Sequence, residues 1–320
     1  MASPPPGPSL SPVLVTGAGG ALAQAIIAAL AADGREVRAA SRAPLGSLPA
    51  GIKGFAVGEV SGETDWSTAL AGVTGIVHCA ALTRADTPGE FHRVNTEGTI
   101  ALARQAVAAG ARRFVFISSI TVNGRSSSGG PFRADDPPNP RTAYARSKLE
   151  AEQDLRALAD ETGLEVAIIR PPRIIWPEPG GNLALLARMV EKGVPLPFGL
   201  ISNNRRDNAS PESIVSLVRL CLDHPAAASE TFLVADDAPL STRELLFRLG
   251  RRAGRRPRLV PVPRSALRLV VSMLPARLLG GMSRSEMWDE LCGSLELDLA
   301  KTRERLGWRP TPSVLAAATS

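Results

Sequence analysis

The chain has 320 residues, of which 44 % are hydrophobic, 21 % charged and 4 % aromatic, with a formal net charge of +6 and a mean hydropathy near zero. That balance excludes a disordered chain, a collagen and a disulfide-stapled miniprotein. No run reaches the roughly 20 uninterrupted apolar residues of a membrane helix. The length suits one large domain, or two that share a cleft.

The start, Met1-Ala2-Ser3-Pro4-Pro5-Pro6-Gly7-Pro8, has no basic region followed by an apolar one. It reads as a disordered tail over residues 1–10, not as a signal peptide. Short apolar runs then alternate with helical stretches. Val13-Leu14-Val15 is a strand that reaches a glycine-rich turn, and a helix from about Leu22 to Ala32 ends at Asp33-Gly34. Glu36 to Ala40, Gly75 to Cys79, Arg113 to Ile117 and Val166 to Ile169 read as further strands, with helices over Glu97 to Ala109 and Tyr144 to Thr162. Such alternation predicts an α/β fold with a doubly wound parallel sheet. Residues 11–170 would form this Rossmann-type, dinucleotide-binding domain. After Arg170 the prolines at 171, 172, 177, 179, 195 and 197 break the pattern. Residues 171–320 are expected to form a smaller, mostly helical substrate lobe, with strand or helix returns to the first domain allowed.

Cys79, Cys221 and Cys292 stand far apart, and their spacing fits neither a disulfide framework nor a zinc site. They read as reduced, mostly buried thiols of a cytoplasmic protein, and no metal is expected. Only Lys53, Lys148, Lys192 and Lys301 among the 37 basic residues are lysines, which leaves 33 arginines. The densest run, Arg251 to Arg258, lacks aromatic residues between its charges. It therefore reads as a solvated helix end, not a nucleic-acid surface. Residues 266–279 are apolar with interspersed arginines. A lobe helix packed on the cleft is the first reading of them, and a helix lying on a membrane is the second.

Two constellations point to chemistry. In Val15-Thr16-Gly17-Ala18-Gly19-Gly20-Ala21-Leu22-Ala23, Gly17 permits a tight turn and Gly20 lets the backbone approach a pyrophosphate. The helix that follows directs free N–H groups at phosphates. The second strand ends in Ala39-Ala40-Ser41-Arg42, with no carboxylate to accept the ribose hydroxyl of NAD. Ser41 and Arg42 suit a 2′-phosphate instead, so NADP(H) is favoured and NAD(H) is the alternative. Tyr144 and Lys148 lie four apart on one helix face, where an ammonium is expected to lower the pKa of the phenol. Ser118-Ser119 ends a strand with two hydroxyls, either of which could bond a substrate oxygen that Tyr144 protonates.

These motifs resemble the extended short-chain dehydrogenase/reductases of the nucleotide-sugar epimerase/dehydratase type. The likeness also takes in His78-Cys79-Ala80-Ala81, Val94-Asn95-Thr96-Glu97-Gly98-Thr99 opening a helix, Arg170-Pro171-Pro172, Asp298-Leu299-Ala300-Lys301 and Leu306-Gly307-Trp308. It implies that Tyr144 is the acid/base, with Lys148, Ser119 and Asn95 in support. It further implies cofactor contacts at Gly17, Ala18, Gly19, Gly20, Ala21 and Leu22. Others would lie at Glu59 and Val60, at Cys79, Ala80 and Ala81, and at Pro171. Glu59 stands where relatives usually carry an aspartate. Substrate contacts are implied at Thr83, Thr121, Asn123 and Arg173, and the diphosphate at Arg205 or Arg206, with Arg206 first. A homodimer that includes the helix at Tyr144–Thr162 is also implied.

Dehydratases of this type follow the serine with Asp-Glu, whereas Ile120 and Thr121 stand here. Dehydration is therefore not expected. Leu196-Pro197-Phe198-Gly199, Asn204-Arg205-Arg206 and Leu291-Cys292-Gly293-Ser294-Leu295 are similar to bacterial reductases that form UDP-N-acetylquinovosamine from UDP-2-acetamido-2,6-dideoxy-4-hexulose. The expected function is that reduction, in surface-polysaccharide and O-antigen pathways. A UDP-hexose 4-epimerase with tightly held NAD is the alternative, and a non-catalytic dinucleotide sensor is an alternative of another class.

Overall fold

Runs of β-branched and aromatic residues assemble into one seven-stranded, wholly parallel sheet. The computed structural model describes residues 11–46, 48–49, 51–127, 129–178, 180–273 and 283–311. The first elements are β1 (Val13–Thr16), α1 (Ala21–Ala32), β2 (Val37–Ser41), β3 (Ile52–Ala56), α2 (Ser67–Leu70) and β4 (Gly75–His78). Next come α3 (Pro88–Phe91), α4 (Gly98–Ala108), β5 (Arg113–Ile117), α5 (Ala143–Thr162), β6 (Glu165–Arg170) and β7 (Arg173–Ile174). The remainder is α6 (Gly181–Glu191), β8 (Asn208–Ala209), α7 (Pro211–Asp223), β9 (Glu230–Leu233), α8 (Thr242–Arg252), α9 (Arg264–Met273), α10 (Arg284–Cys292) and α11 (Ala300–Leu306).

The strand order is β3-β2-β1-β4-β5-β6-β9. It reverses between β1 and β4, which opens a crevice at the carboxyl ends of the strands. Each strand alternates its side chains between two layers. Val13 and Val15 face α1 and α7 with Ile26, Leu30, Leu217 and Val218. Leu14 faces the other layer, where Leu102, Ala106, Leu155 and Leu158 of α4 and α5 cover Ile76, Phe114 and Ile168.

Two strands carry weak sequence signals. β3 is a half-exposed edge, interrupted by Lys53 and Gly54. β9 comes from the proline-broken second half, yet it completes the sheet beside β6, with Phe232 and Leu233 fully buried. The helix expected from Glu97 begins earlier. α3 runs into a π-helical stretch, His92–Glu97, and then into α4. Gly98 lies at that junction because a Cβ there would come within 2.6 Å of Val60 Cγ1.

The lobe closes over a separate cluster that includes Ile175, Leu183, Val190, Leu196, Leu246 and Leu267. Its only strand pairing among the described residues, beyond isolated bridges, is the two-residue β7–β8 match. Arg251, Arg252, Arg255, Arg256 and Arg258 are exposed at and beyond the end of α8. Of the apolar segment 266–279, α9 buries Leu267 and Val271 and exposes Leu269, Val270 and Met273. Residues 274–279 lie outside the described residues, as does the tail at 1–10.

If β9 is integral to the sheet, Phe232→Ala lowers stability by about 3–5 kcal/mol through the cavity it leaves. In a urea titration we expect one cooperative transition at a clearly lower midpoint. A midpoint equal to that of the wild type would show that β9 is not part of the core.

Candidate active site

Two cavities occupy the crevice, one of 510 Å³ and one of 1380 Å³. They meet along the loop after β4, where Ala81 and Leu82 wall the smaller and Thr83 and Arg84 the larger.

The smaller cavity is floored by the glycine turn. Gly17 has φ +71°, and a Cβ on it would sit 2.8 Å from Ala80 N. Only glycine fits that crossing of β1 and β4. A Cβ on Gly19 would meet nothing within 4 Å, because the groove lies open above it. Gly20 caps α1 without a side chain, so the first N–H groups of the helix remain available to an anion. Ala18 is buried in the core beneath the turn, while Ala21 and Leu22 open α1 and are not lining residues. Ser41, Arg42, Glu59, Val60, Cys79, Ala80 and Ala81 complete the groove. The Ser41 hydroxyl donates to Ala43 O at 2.5 Å, Arg42 is exposed, and Glu59 pairs with Arg93 at 3.1 Å. Burial pushes the Cys79 thiol up to about 12, so it lines the groove as a neutral group. Cys221 and Cys292 are buried, free thiols. This open, glycine-based cradle ending at a helix start fits a dinucleotide pyrophosphate.

A threonine chain holds the cradle to the sheet. The Thr99 hydroxyl donates to Asn95 O at 2.7 Å, so it accepts from His78 Nε2 at 3.0 Å. That leaves His78 Nδ1 to accept from Thr16 Oγ1 at 2.7 Å, and Thr16 Oγ1 accepts from Ala80 N at 3.3 Å. Burial, aided by the Lys148 charge, pushes His78 down to about 3 and keeps the ring neutral for this role.

The larger cavity is lined by the candidate acid/base, Tyr144. Thr142 caps α5 by accepting from Ala145 N at 3.0 Å. Half-buried Tyr144 lies in the first turn and lines the cavity, with Phe91 edge-on at 6.1 Å between ring centroids. Lys148, one turn later, is only 1 % exposed, and its Nζ lies 4.0 Å from the centre of the Phe116 ring. Burial pulls the lysine down to about 7, against the opposing pull of Glu152 and Cys79. Ser119 accepts from the Thr121 hydroxyl at 2.9 Å and from Thr121 N at 3.3 Å, so its own proton is free to be donated.

The expectation that Lys148 lowers the pKa of Tyr144 needs correction. Burial raises the phenol, and the group that opposes this is Ser119, through a hydrogen bond. The charge of Lys148 acts on His78 and Cys79 beneath it.

Asn95 proves to be a clamp within the π-helical stretch. Its amide accepts from Leu82 N at 2.8 Å and donates to Leu82 O at 3.0 Å and to Ser147 Oγ at 3.1 Å. Thr96 donates to Ser147 O at 3.0 Å. Both residues therefore fix α5 at Ser147, next to Lys148.

Thr83, Thr121 and Asn123 line the larger cavity. The Asn123 amide is engaged, donating to Arg133 O at 2.9 Å and accepting from Arg170 at 3.0 Å. Pro171 O accepts from Ile120 N at 3.0 Å and ties β6 to the turn after Ser119. Arg173 binds Glu290 at 2.7 Å. The structure does not bring Arg205 to Tyr144. The backbone around Arg206 bridges to Leu240 and Leu295 in an extended form, so neighbouring side chains point apart. Arg205 faces a different cavity of 450 Å³ and pairs with Glu296 at 2.8 Å. Arg206 is buried, donating to Asp289 O at 2.7 Å and pairing with Glu290 at 3.1 Å.

Phe91 and Glu152 escaped the sequence reading. Phe91 is 53 positions from Tyr144 and carries no local signal. Glu152 had one, since it stands four residues after Lys148 on the same helix face. It accepts from the Ser118 hydroxyl at 2.5 Å and binds Arg170 through both carboxylate oxygens.

Residues 13–235 match the NAD dependent epimerase/dehydratase family. The chain belongs to that family. It is 39 % identical over 264 residues to a UDP-glucose 4-epimerase of Vibrio cholerae, covering 80 % of this chain and 78 % of the relative. It is 28 % identical over 312 residues to a ceramide reductase of Caulobacter vibrioides, covering 95 % and 87 %. In fold it resembles UDP-N-acetylglucosamine 4-epimerase from Bacillus cereus, with a TM-score of 0.76, 20 % identity and coverage of 97 % and 96 %. It also resembles the Bordetella bronchiseptica enzyme WbmG in complex with NAD, with a TM-score of 0.73, 22 % identity and coverage of 98 % and 92 %. As a member of the epimerase/dehydratase family the protein is an NAD-dependent oxidoreductase or epimerase of the extended short-chain dehydrogenase/reductase type. No helix among the described residues is long and apolar enough to cross a membrane.

The buried lysine sets a pH dependence. Its pKa falls from the ordinary 10.5 to about 7 on folding, so between those values the unfolded chain binds more protons and stability rises with pH. Lys148→Met removes this contribution. Urea midpoints from about pH 7 to about pH 10 should rise in the wild type relative to the variant. A constant difference between the two would contradict the burial of a titrating lysine.

Proposed function

We propose that the protein reduces the 4-keto group of a nucleotide-linked 4-keto-6-deoxy sugar. The reaction is of the type that converts UDP-2-acetamido-2,6-dideoxy-4-hexulose to UDP-N-acetylquinovosamine. It would serve surface-polysaccharide assembly in the cytoplasm. The observation that carries this reading is Tyr144 on the wall of a large cavity that adjoins a dinucleotide cradle. A protonated Tyr144 suits the reductive direction, in which the enzyme must give a proton.

Bound in the smaller cavity, a nicotinamide dinucleotide supplies the hydride. The protein's own residues handle the oxygen. Ser119 donates a hydrogen bond to O4 of the sugar, and Tyr144 transfers its proton to that oxygen as negative charge develops there. Ser119, whose hydrogen bond opposes the rise of the phenol, steadies the resulting phenolate. Ile120 and Thr121 hold no proton-transfer pair for removing water, which argues against dehydration.

NADP(H) is favoured because Ser41 and Arg42 edge the groove where a ribose 2′-phosphate would lie. A second reading, a UDP-hexose 4-epimerase with retained NAD, is favoured by the relative from Vibrio cholerae. The sensor alternative is disfavoured because Tyr144 and Lys148 are both present, with Tyr144 on the cavity wall and Lys148 one turn later on the same helix.

Purified protein, given the 4-keto sugar and NADPH or NADH, should oxidise one cofactor per sugar and prefer NADPH. Tyr144→Phe should lower kcat by about 10²- to 10⁴-fold while cofactor binding persists. Interconversion of UDP-glucose and UDP-galactose without net cofactor oxidation would replace the reductase with the epimerase. Arg42→Ala should weaken NADPH about tenfold and leave NADH unchanged. Equal losses for both would remove the basis for an NADP(H) preference.

A further inference from the structure

α9 is apolar on two faces. Leu267 and Val271, four positions apart, are buried, the first in the lobe cluster and the second against Met287 of α10. Ala266, Leu269, Val270 and Met273 follow the spacing i, i+3, i+4, i+7, so they form one stripe along the other side of the helix. That stripe faces outward, with Leu269, Val270 and Met273 57 %, 49 % and 71 % exposed. The other exposed large apolar residues among those described, Leu185, Leu200 and Val260, also belong to the lobe. Residues 11–170 have none, so the apolar surface is concentrated on one part of the molecule.

Charge is distributed in the same way. Between Leu245 and Met273 stand eight arginines and no acidic residue, whereas the other 29 basic residues share the chain with all 31 acidic ones. Seven of the eight are exposed, and none forms a salt bridge among the described residues. Arg258, beyond the end of α8, and Arg264, at the start of α9, are six positions apart. Their Cα atoms therefore lie at most about 22 Å from each other. Unpaired guanidiniums and the outward stripe thus occupy neighbouring parts of the lobe.

This combination selects the partner. A second copy seated on the same face about a two-fold axis would set arginines against arginines. A nucleic acid offers nothing apolar to Leu269, Val270 and Met273, and residues 248–273 include no aromatic ring for base stacking. An anionic bilayer offers both phosphate groups and acyl chains. The ten residues of α9 make a helix about 15 Å long, half of the roughly 30 Å hydrocarbon core, so it suits the interface plane and not a crossing.

We infer that the lobe docks on an anionic lipid bilayer. Leu269, Val270 and Met273 enter the acyl boundary, and the arginines of α9 and of the end of α8 meet lipid phosphates. This goes beyond the sugar-nucleotide reading and does not depend on it. α10 stands between α9 and the crevice: its Met287 packs on Val271, while its Ser285, Glu286 and Asp289 line the larger cavity. Docking therefore uses no residue of the candidate active site.

Sedimentation of the full chain with vesicles tests this, with thermal melting as the control for folding. Vesicles of equal parts phosphatidylglycerol and phosphatidylcholine should bind the protein about tenfold or more tightly than phosphatidylcholine alone. Raising the salt from about 0.1 M to about 0.5 M should release most of it. Leu269→Ser with Met273→Ser, and separately Arg251→Glu with Arg256→Glu, should each weaken binding about tenfold or more. Should the serine variant melt early, Leu269→Ala with Met273→Ala carries the same expectation. Equal binding to the two vesicle types, no binding to either, or variants that bind like the wild type overturn the inference. Capture of single-stranded RNA by a protein that ignores vesicles would assign the face to nucleic acid. A dimer that ignores vesicles and becomes monomeric in Leu269→Ser with Met273→Ser would assign it to a second copy. Either result overturns bilayer docking.

Discussion

The ammonium of Lys148, almost sealed from water against the face of Phe116, is the constraint around which the site is built. Burying a charge costs several kcal/mol unless its surroundings compensate. Here the compensation is local and specific. The phenylalanine ring offers its face, and Glu152 supplies negative charge one helical turn away. Glu152 is held in turn by Ser118 and Arg170, from the ends of β5 and β6. Asn95 and Thr96 grip α5 at Ser147, between Tyr144 and Lys148. A lysine so enclosed can hardly move, and Tyr144 shares its helix.

This arrangement explains why the phenol and the cradle lie together. The chain of Thr99, His78 and Thr16 runs from the π-helical stretch to the glycine turn, with a neutral histidine as its centre. Asn95 joins the two, since its amide holds Ser147 of α5 and its carbonyl accepts from Thr99. The lobe enters from the opposite side, where α10 brings Glu286 to the cavity and Glu290 to the arginines behind it.

Much of this was legible in the sequence where function follows local spacing. The glycine turn needs residues adjacent in the chain, and Tyr144 and Lys148 need only helical periodicity. The parallel sheet was legible from β1, β4, β5 and β6, whose apolar runs are buried on both faces. β3 was not, because an edge strand tolerates Lys53 and Gly54. Long-range contacts were illegible for a different reason. Nothing near Arg205 or Arg206 announces that an extended stretch turns one outward and buries the other. Likewise, Arg125 and Glu286 meet across 161 positions of chain. The Tyr144 phenol shifts upward because burial is the larger effect there, and burial is not legible from spacing on a helix.

The central claim is that hydride enters at the sugar carbon whose oxygen Tyr144 protonates. Reduction of the 4-keto sugar with dinucleotide deuterated at C4 of the nicotinamide, analysed by NMR, tests it most directly. One deuterium at C4 of the sugar product for each cofactor oxidised is the expected result. A product with no deuterium at that carbon would contradict the account.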